Sequence, residues 1–270
     1  MVSAISKGRF GNFCFVNMAA YVYSLKHGLE FHIQDKSLAP HLWPLHFQEL
    51  KNPNWDETKE VVFVNDDKHT YTELPFKEEW RDKNIIIGTT DINTGYFQSF
   101  LYLKGYEKQI KQKFFNQIRS ETYVNCDNNS ASLHVRRSDY LQLQEFHPTI
   151  TMDYILRAIV QCICFNIEGI CIYSDDTKWC KENIIPAVKK FSDIAIIVSK
   201  NNSEIFDFYY MMHHPINIIS NSSFSLLASI LNTTHFKKVI SPTENDWYGI
   251  KNKKLSVETM IPKEYIRIKY

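Results

Sequence analysis

In the octapeptide Leu133-His134-Val135-Arg136-Arg137-Ser138-Asp139-Tyr140, an imidazole, two guanidiniums and a carboxylate fall within six consecutive positions. A guanidinium stays charged and its planar fork donates two parallel hydrogen bonds, so Arg136 and Arg137 suit a phosphate or diphosphate. Asp139 can orient an arginine or accept a proton, and His134 can hydrogen-bond a ribose or a base. A second constellation, Ile218-Ile219-Ser220-Asn221-Ser222-Ser223-Phe224-Ser225, reads as an apolar strand that turns through hydroxyls into an apolar helix. Free N–H groups at such a helix start, with Ser222 and Ser223 beside them, offer an anion both donors and the positive dipole end. In Tyr173-Ser174-Asp175-Asp176 two acids close a strand. Adjacent side chains leave an extended backbone on opposite sides, so Asp175 reads as a hydrogen-bonding, loop-organising residue and Asp176 as the cap of the next helix. Asp207 stands among Phe206, Phe208, Tyr209 and Tyr210, where a lone acid needs a partner or solvent.

These groups need a scaffold. Leu133 and Val135 alternate with polar neighbours, predicting a short strand whose end delivers Arg136, Arg137 and Asp139 into a loop, which is where ligands bind in α/β sheets. Thr151 N-caps a helix running to about residue 164. Strands are then predicted over residues 169–174, 194–198, 216–219 and 238–240. Helices are predicted over 177–190, with Pro186 inside or ending it, over 204–213 and over 222–231. Such alternation implies a parallel sheet covered on both faces. Nearer the N-terminus, Gly8-Arg9-Phe10-Gly11-Asn12 precedes Phe13, Phe15, Val16, Ala19, Ala20, Tyr23 and Leu25, a helical stripe ending at Gly28. Strands over 29–33, 61–64 and 84–88 and a helix over 100–118 complete this half, while residues 43–80 are otherwise irregular. The polar stretch 125–130 marks a boundary, dividing the chain into lobes 1–128 and 129–270.

The 270 residues are 44% hydrophobic, enough for a sizeable core. With 31 Lys+Arg against 30 Asp+Glu the net charge is +1, so no overall field recruits nucleic acid or an anionic membrane. The apolar run 158–165 is too short to span a bilayer, and no signal core precedes Gly8. Six cysteines lack paired CxxC or zinc-type spacing and read as reduced core thiols. His213 and His214 point apart on a helix and read as structural. Asn128, Asn201, Asn221 and Asn232 begin glycosylation sequons, and a glycan on Asn221 would block the hydroxyl-rich turn. Cytoplasmic residence, in a bacterium or a virus-occupied host cell, is expected.

The segment His-x-Arg-Arg-x-Asp-Tyr resembles the first signature of the α1,2-fucosyltransferases, whose shorter form is shared with the α1,6- and protein O-fucosyltransferases. Ser138 stands where that group usually has Gly. The 218–225 segment resembles the family's Ile-Ile-x-Asn-Ser-Ser-Phe-Ser, with Leu226 and Leu227 replacing the usual two Trp. Ser174-Asp175-Asp176 followed by Trp179-Cys180, the Gly8-x-x-Gly11-Asn12 loop and Gly95-Tyr96-Phe97-Gln98-Ser99 also match, in family order, from about Gly8 to Tyr248. Departures such as Phe13-Cys14 mark a divergent member.

The resemblance implies an α/β, GT-B-like fold with two Rossmann-like lobes facing a central cleft, the first meeting the acceptor and the second holding GDP. It implies inverting, metal-independent transfer of L-fucose from GDP-β-L-fucose to the 2-hydroxyl of a terminal β-galactoside, with no cofactor. Donor contacts fall on Gly8, Phe10, Gly11, Asn12, His134, Arg136, Arg137, Asp175, Asp207, Asn221, Ser222, Ser223 and Phe224, with guanine on Asp207 and the β-phosphate on Arg136. The base is expected to be Asp139 or, second, Glu145, although a carboxylate engaged by arginine is less available to a proton. A protein O-fucosyltransferase, or a noncatalytic nucleotide-sugar- or glycan-binding protein, are the competing expectations.

Overall fold

A computed structural model describes residues 1–5, 8–33, 50–65, 70–91, 95–116, 118, 129–200 and 203–270. Cys126, the sequons at Asn128 and Asn201, and most of the polar stretch 125–130 lie outside them. The chain divides into two compact units, Met1–Arg119 with Ser256–Ile261, and Ser120–Leu255 with Pro262–Tyr270. Each is an α/β unit on a parallel sheet.

In the first unit β1 (Val2–Ala4), β2 (Val61–Val64) and β3 (Asn84–Ile87) pair in the order β1-β3-β2. Helix α1 (Phe10–Lys26) carries apolar side chains on nearly every face, and it is buried nearly all round rather than along one stripe. It stops as predicted at Gly28, whose φ of +62° suits a residue without Cβ. Two expectations fail here. The strand over 29–33 reduces to one bridge, Phe31 to Val2, on the edge of β1 away from β3. The helix over 100–118 is a 3-10 turn, Phe100–Tyr102, and then α2 (Glu107–Phe115), interrupted at Gly105, whose φ is +85°.

The second unit follows the predicted alternation: β4 (Ser130–Val135), α3 (Met152–Ile163), β5 (Gly169–Ser174), α4 (Thr177–Trp179), α5 (Ile185–Val188), β6 (Ala195–Val198), α6 (Glu204–Met211), β7 (Ile216–Ile218), α7 (Ser223–Leu231), β8 (Lys238–Pro242), α8 (Glu244–Trp247) and β9 (Ile266–Ile268). A π-helical stretch, Cys180–Ile184, joins α4 to α5. It falls just before Pro186, which has no N–H to give and would crowd the carbonyl of a regular turn. Thr151 caps α3, its hydroxyl accepting from Tyr154 N–H at 3.1 Å.

The sheet order is β6-β5-β4-β7-β8-β9, parallel throughout. Counted along this unit it is 3-2-1-4-5-6, the doubly wound order whose growth reverses between its first and fourth strands, here β4 and β7. Chains wound this way leave a crevice outside the carboxyl ends of those two strands. Leu133, Val135, Ile172, Ile218 and Ile240 form the fully buried centre. Leu226 and Leu227 are also fully buried, so the residues standing for two tryptophans are core side chains of α7. Of the described cysteines, Cys14, Cys162, Cys171 and Cys180 are buried, Cys164 is exposed, and all five are free thiols.

Candidate functional site

Strand β4 ends at the reversal point and delivers His134, Arg136 and Arg137 there. His134 is buried, hydrogen-bonded through Nδ1 to the Ser220 hydroxyl at 2.8 Å and stacked on Phe224 with centroids 5.2 Å apart. Burial pushes its pKa down to about 3, against the pull of Asp175, so the ring is neutral. Arg136 is held between two carboxylates, Nη2 to Asp139 at 2.7 Å and Nη1 to Asp175 at 2.8 Å, with its guanidinium 5.8 Å over the Tyr140 ring. The contact to Asp139 is a charge pairing without hydrogen-bond alignment, and buried Nη2 makes no hydrogen bond among the described residues.

Asp175 is the organiser of this loop. It accepts from Arg137 N–H at 2.8 Å and from the Ser138 hydroxyl, besides pairing with Arg136. Burial alone would raise its pKa, but the Ser138 hydroxyl, the Arg136 charge and the Arg137 N–H hold it below the usual carboxylate range. Ser138 has φ of −38°, so no glycine is required there. Arg137 turns onto the framework: its Nε pairs with Asp176 at 3.2 Å and its guanidinium lies 3.8 Å over Trp179. Asp176 caps α4, accepting from Trp179 N–H at 3.1 Å.

At the end of β7, Ser222 caps α7, its hydroxyl accepting from Phe224 N–H at 3.4 Å, and Ser223 opens the first turn half-buried. Asn221 is spent on the framework. Its amide donates to the carbonyls of Pro148 at 2.8 Å and Trp247 at 3.0 Å, while the Tyr140 hydroxyl donates to its carbonyl at 3.2 Å. Phe224 continues edge-on to Phe208, 5.4 Å away, and so leads from His134 towards α6. On α6 Asp207 is 7% exposed, one oxygen accepting from the Ser199 hydroxyl at 2.7 Å. Burial pushes its pKa up to about 6 even though that hydroxyl opposes the shift, with Glu204 adding to it. A buried acid this reluctant to ionise is one that an N–H-bearing ligand edge would satisfy.

Glu145 is not brought to the cluster. It is exposed, its carboxylate pairing with Lys251 at 2.6 Å rather than with Arg136, and its backbone carbonyl accepts from Lys251 N–H. Gly8, Phe10, Gly11 and Asn12 belong to the first unit. There Gln98 Nε2 donates to Asn12 Oδ1 at 2.6 Å, joining the Gly8–Asn12 loop to the 95–99 segment. Gly8 has φ of +73°, and a Cβ on it would meet the Asn12 side chain at 2.8 Å. Sequence reading gave no role to Tyr140, His147, Ser199 or Ser220. The last was within reach, since it lies between the strand and Asn221. The two buried histidines differ from His147: His134 is bonded to Ser220, and His214 is bonded on both nitrogens, to Tyr173 at 2.9 Å and Ser130 at 3.0 Å. Among the described residues no group of three or more His, Cys, Asp or Glu side chains could hold a metal ion, and no helix is long and apolar enough to cross a membrane.

A doubly wound sheet with an arginine and a helix start converging at its reversal point is the architecture of a nucleotide-binding unit. The profile of Glycosyl transferase family 11 matches residues 41–260, most of the chain, and the protein belongs to that family. It is 34% identical over 158 residues to the O-antigen biosynthesis glycosyltransferase WbnK of Escherichia coli, covering 54% of this chain and 49% of that protein. It is 26% identical over 184 residues to an alpha-1,2-colitosyltransferase of Escherichia coli, covering 64% of this chain and 61% of that one. The matches therefore span less than two thirds of either relative. Among solved structures it is similar to a mutant of Arabidopsis thaliana FUT1 in complex with GDP, with TM-score 0.47, 10% identity, and 98% of this chain and 75% of that chain covered. It is also similar to POFUT1 in complex with GDP-fucose, with TM-score 0.43, 12% identity, and 88% of this chain and 96% of that chain covered.

Proposed function

We propose that the protein is an inverting α1,2-fucosyltransferase that moves L-fucose from GDP-β-L-fucose to the 2-hydroxyl of a terminal β-galactoside. The observation carrying this reading is the placing of Arg136 at the end of β4 beside the N-terminus of α7 at the end of β7. As the anomeric C–O bond breaks, negative charge collects on the β-phosphate. Arg136, fixed by Asp139 and Asp175, and the α7 N-terminus with Ser222 and Ser223 are prepositioned donors for that charge, the kind of arrangement that contributes most to catalysis of group transfer. Asp207 would accept the two N–H groups of guanine, and His134 and Phe224 would line the path between base and phosphate. The second unit is thus the donor side. Family membership and relatives named as glycosyltransferases support the same assignment.

Cytoplasmic residence accompanies this reading. Asn221 and Asn232 are 2% and 3% exposed with their amide nitrogens hydrogen-bonded inward, so glycans on these sequons would be incompatible with the fold. A second donor, an activated colitose, is favoured by the alpha-1,2-colitosyltransferase matched over 64% of the chain. Release of GDP should be measured with GDP-fucose and with GDP-colitose, each with and without β-galactosides, and the linkage of the product determined. Galactoside-dependent release and an α1,2 product are expected with GDP-fucose. Binding without acceptor-dependent release would identify a noncatalytic protein, and transfer to a seryl or threonyl peptide alone would identify a protein O-fucosyltransferase.

A further inference from the structure

The transferase reading leaves open which group takes the proton from the attacking hydroxyl. Asp139 is engaged by Arg136 and Glu145 by Lys251. His134 and His214 are buried, hydrogen-bonded and held neutral at about 3 and about 4. His147 is different. It lies on the loop between the 3-10 turn Asp139–Gln142 and α3, and that loop is built rigidly: His147 N–H and Phe146 N–H both bond the Leu143 carbonyl at 2.8 Å, and the Gln144 amide spans back to the Tyr140 carbonyl at 2.7 Å. Asn221, in the turn before α7, bonds the Pro148 carbonyl, and Gly249 N–H bonds the Phe146 carbonyl, so the residues on either side of His147 are pinned to the site. The imidazole stacks on Tyr140 with centroids 5.2 Å apart at 19° and tilts against Tyr248 at 5.9 Å. Tyr140 is the same ring that lies under the Arg136 guanidinium. The imidazole is half-buried, and neither of its nitrogens has a hydrogen-bond partner among the described residues.

We propose that His147 is the general base of the reaction, a role that rests on the transferase reading above. The acceptor O–H bond breaks with its proton passing to an imidazole nitrogen. The oxygen's electron pair forms the new bond to the anomeric carbon, and the bond from that carbon to the β-phosphate oxygen breaks with its pair leaving on GDP. The imidazolium then loses its proton to solvent. Burial lowers the His147 pKa while the charge of Asp139 opposes this, so the ring is ready as the neutral acceptor near neutral pH. The other titratable groups facing it are Tyr140 on the 3-10 turn and Tyr248 after α8, and burial holds Tyr248 far above the neutral range.

The test compares wild type with His147→Phe, which keeps an aromatic ring in the slot, and His147→Ala, all at saturating GDP-fucose with a galactoside acceptor. Both variants are expected to bind GDP like wild type in calorimetry and to lose kcat by on the order of 100- to 10,000-fold, the usual range for a general base. Wild-type kcat should fall as pH drops through the His147 pKa. That acidic limb should vanish in His147→Phe, and added imidazole should restore His147→Ala in proportion to its neutral form. Undiminished kcat with the limb intact in His147→Phe, while wild type turns over, would overturn the base assignment alone. Absence of turnover by wild type with any galactoside would overturn the transferase reading, and the assignment with it.

Discussion

Asp207 is unfavourable to the empty protein and, under the proposed function, useful to the loaded one. Burial moves it from the ordinary carboxylate value of about 3.9 to about 6, a difference worth roughly 3 kcal/mol. Because the folded value is the higher one, folding prefers the protonated acid. Its favourable contribution is complete below about pH 3.9 and is lost as pH rises through about 6. Asp207→Asn keeps an oxygen for the Ser199 hydroxyl and removes the buried charge, so the variant should melt higher than wild type at pH 8 and alike at pH 4. Guanine, presenting two N–H groups, needs the carboxylate. GDP affinity of wild type should therefore weaken as pH falls through 6, and the asparagine variant should bind about tenfold to a hundredfold more weakly at pH 8, as a mismatched buried hydrogen bond costs about 1–3 kcal/mol. Paired melting curves and titrations at the two pH values check both halves. Equal GDP affinity in the two proteins would take Asp207 out of the site.

At the scale of elements, β5, β6 and β7 were legible because each is an apolar run bounded by polar or turn residues, and α7 because Ser222 and Ser223 precede its apolar stretch. Short elements were not. Val2–Ala4 and Ile266–Ile268 have three residues each and no pattern of their own, and they become strands only because a neighbour offers an open edge. The same limit applies to the site. Arg136, Asp139 and Asp175 stood out by residue type, whereas Asn221's framework role depends on Pro148 and Trp247, 73 and 26 positions away. Gly249 is a further long-range dependence. A Cβ there would lie 2.4 Å from the Glu145 carbonyl carbon, although its φ of −71° is open to any residue. Gly249→Ala must push residues 144–147 away from 249–252, and overpacking of this kind costs about 1–3 kcal/mol. A lowered melting temperature with a fall in kcat larger than in GDP affinity is expected, since the displaced loop carries His147 and not the residues proposed to bind the nucleotide. Wild-type stability in this variant would show that the two segments part without cost.

For the whole molecule, a net charge of +1 leaves no long-range field to gather a diphosphate. Recognition then depends on a few charges concentrated at one sheet end. Arg136 lies there between Asp139 and Asp175, so the three together carry a net charge of −1, which by itself opposes an incoming phosphate. The helix start of α7 and the buried, hydrogen-bond-ready Nη2 supply the attraction that offsets this. Enzymes that neutralise a leaving diphosphate with a cation hold that cation in carboxylates left open to it. Here Asp175 is already occupied by Arg136, Arg137 N–H and Ser138, and Asp176 by Arg137 and the α4 cap. A divalent ion would have to break those contacts to bind. Turnover of GDP-fucose should therefore be unchanged after exhaustive treatment with EDTA and unaffected by added Mg²⁺ or Mn²⁺. Loss of kcat in chelator, restored stoichiometrically by one cation, would mean that Asp175 and Asp176 rearrange when the donor binds, and that the leaving charge is carried by metal rather than by Arg136 and the α7 N-terminus.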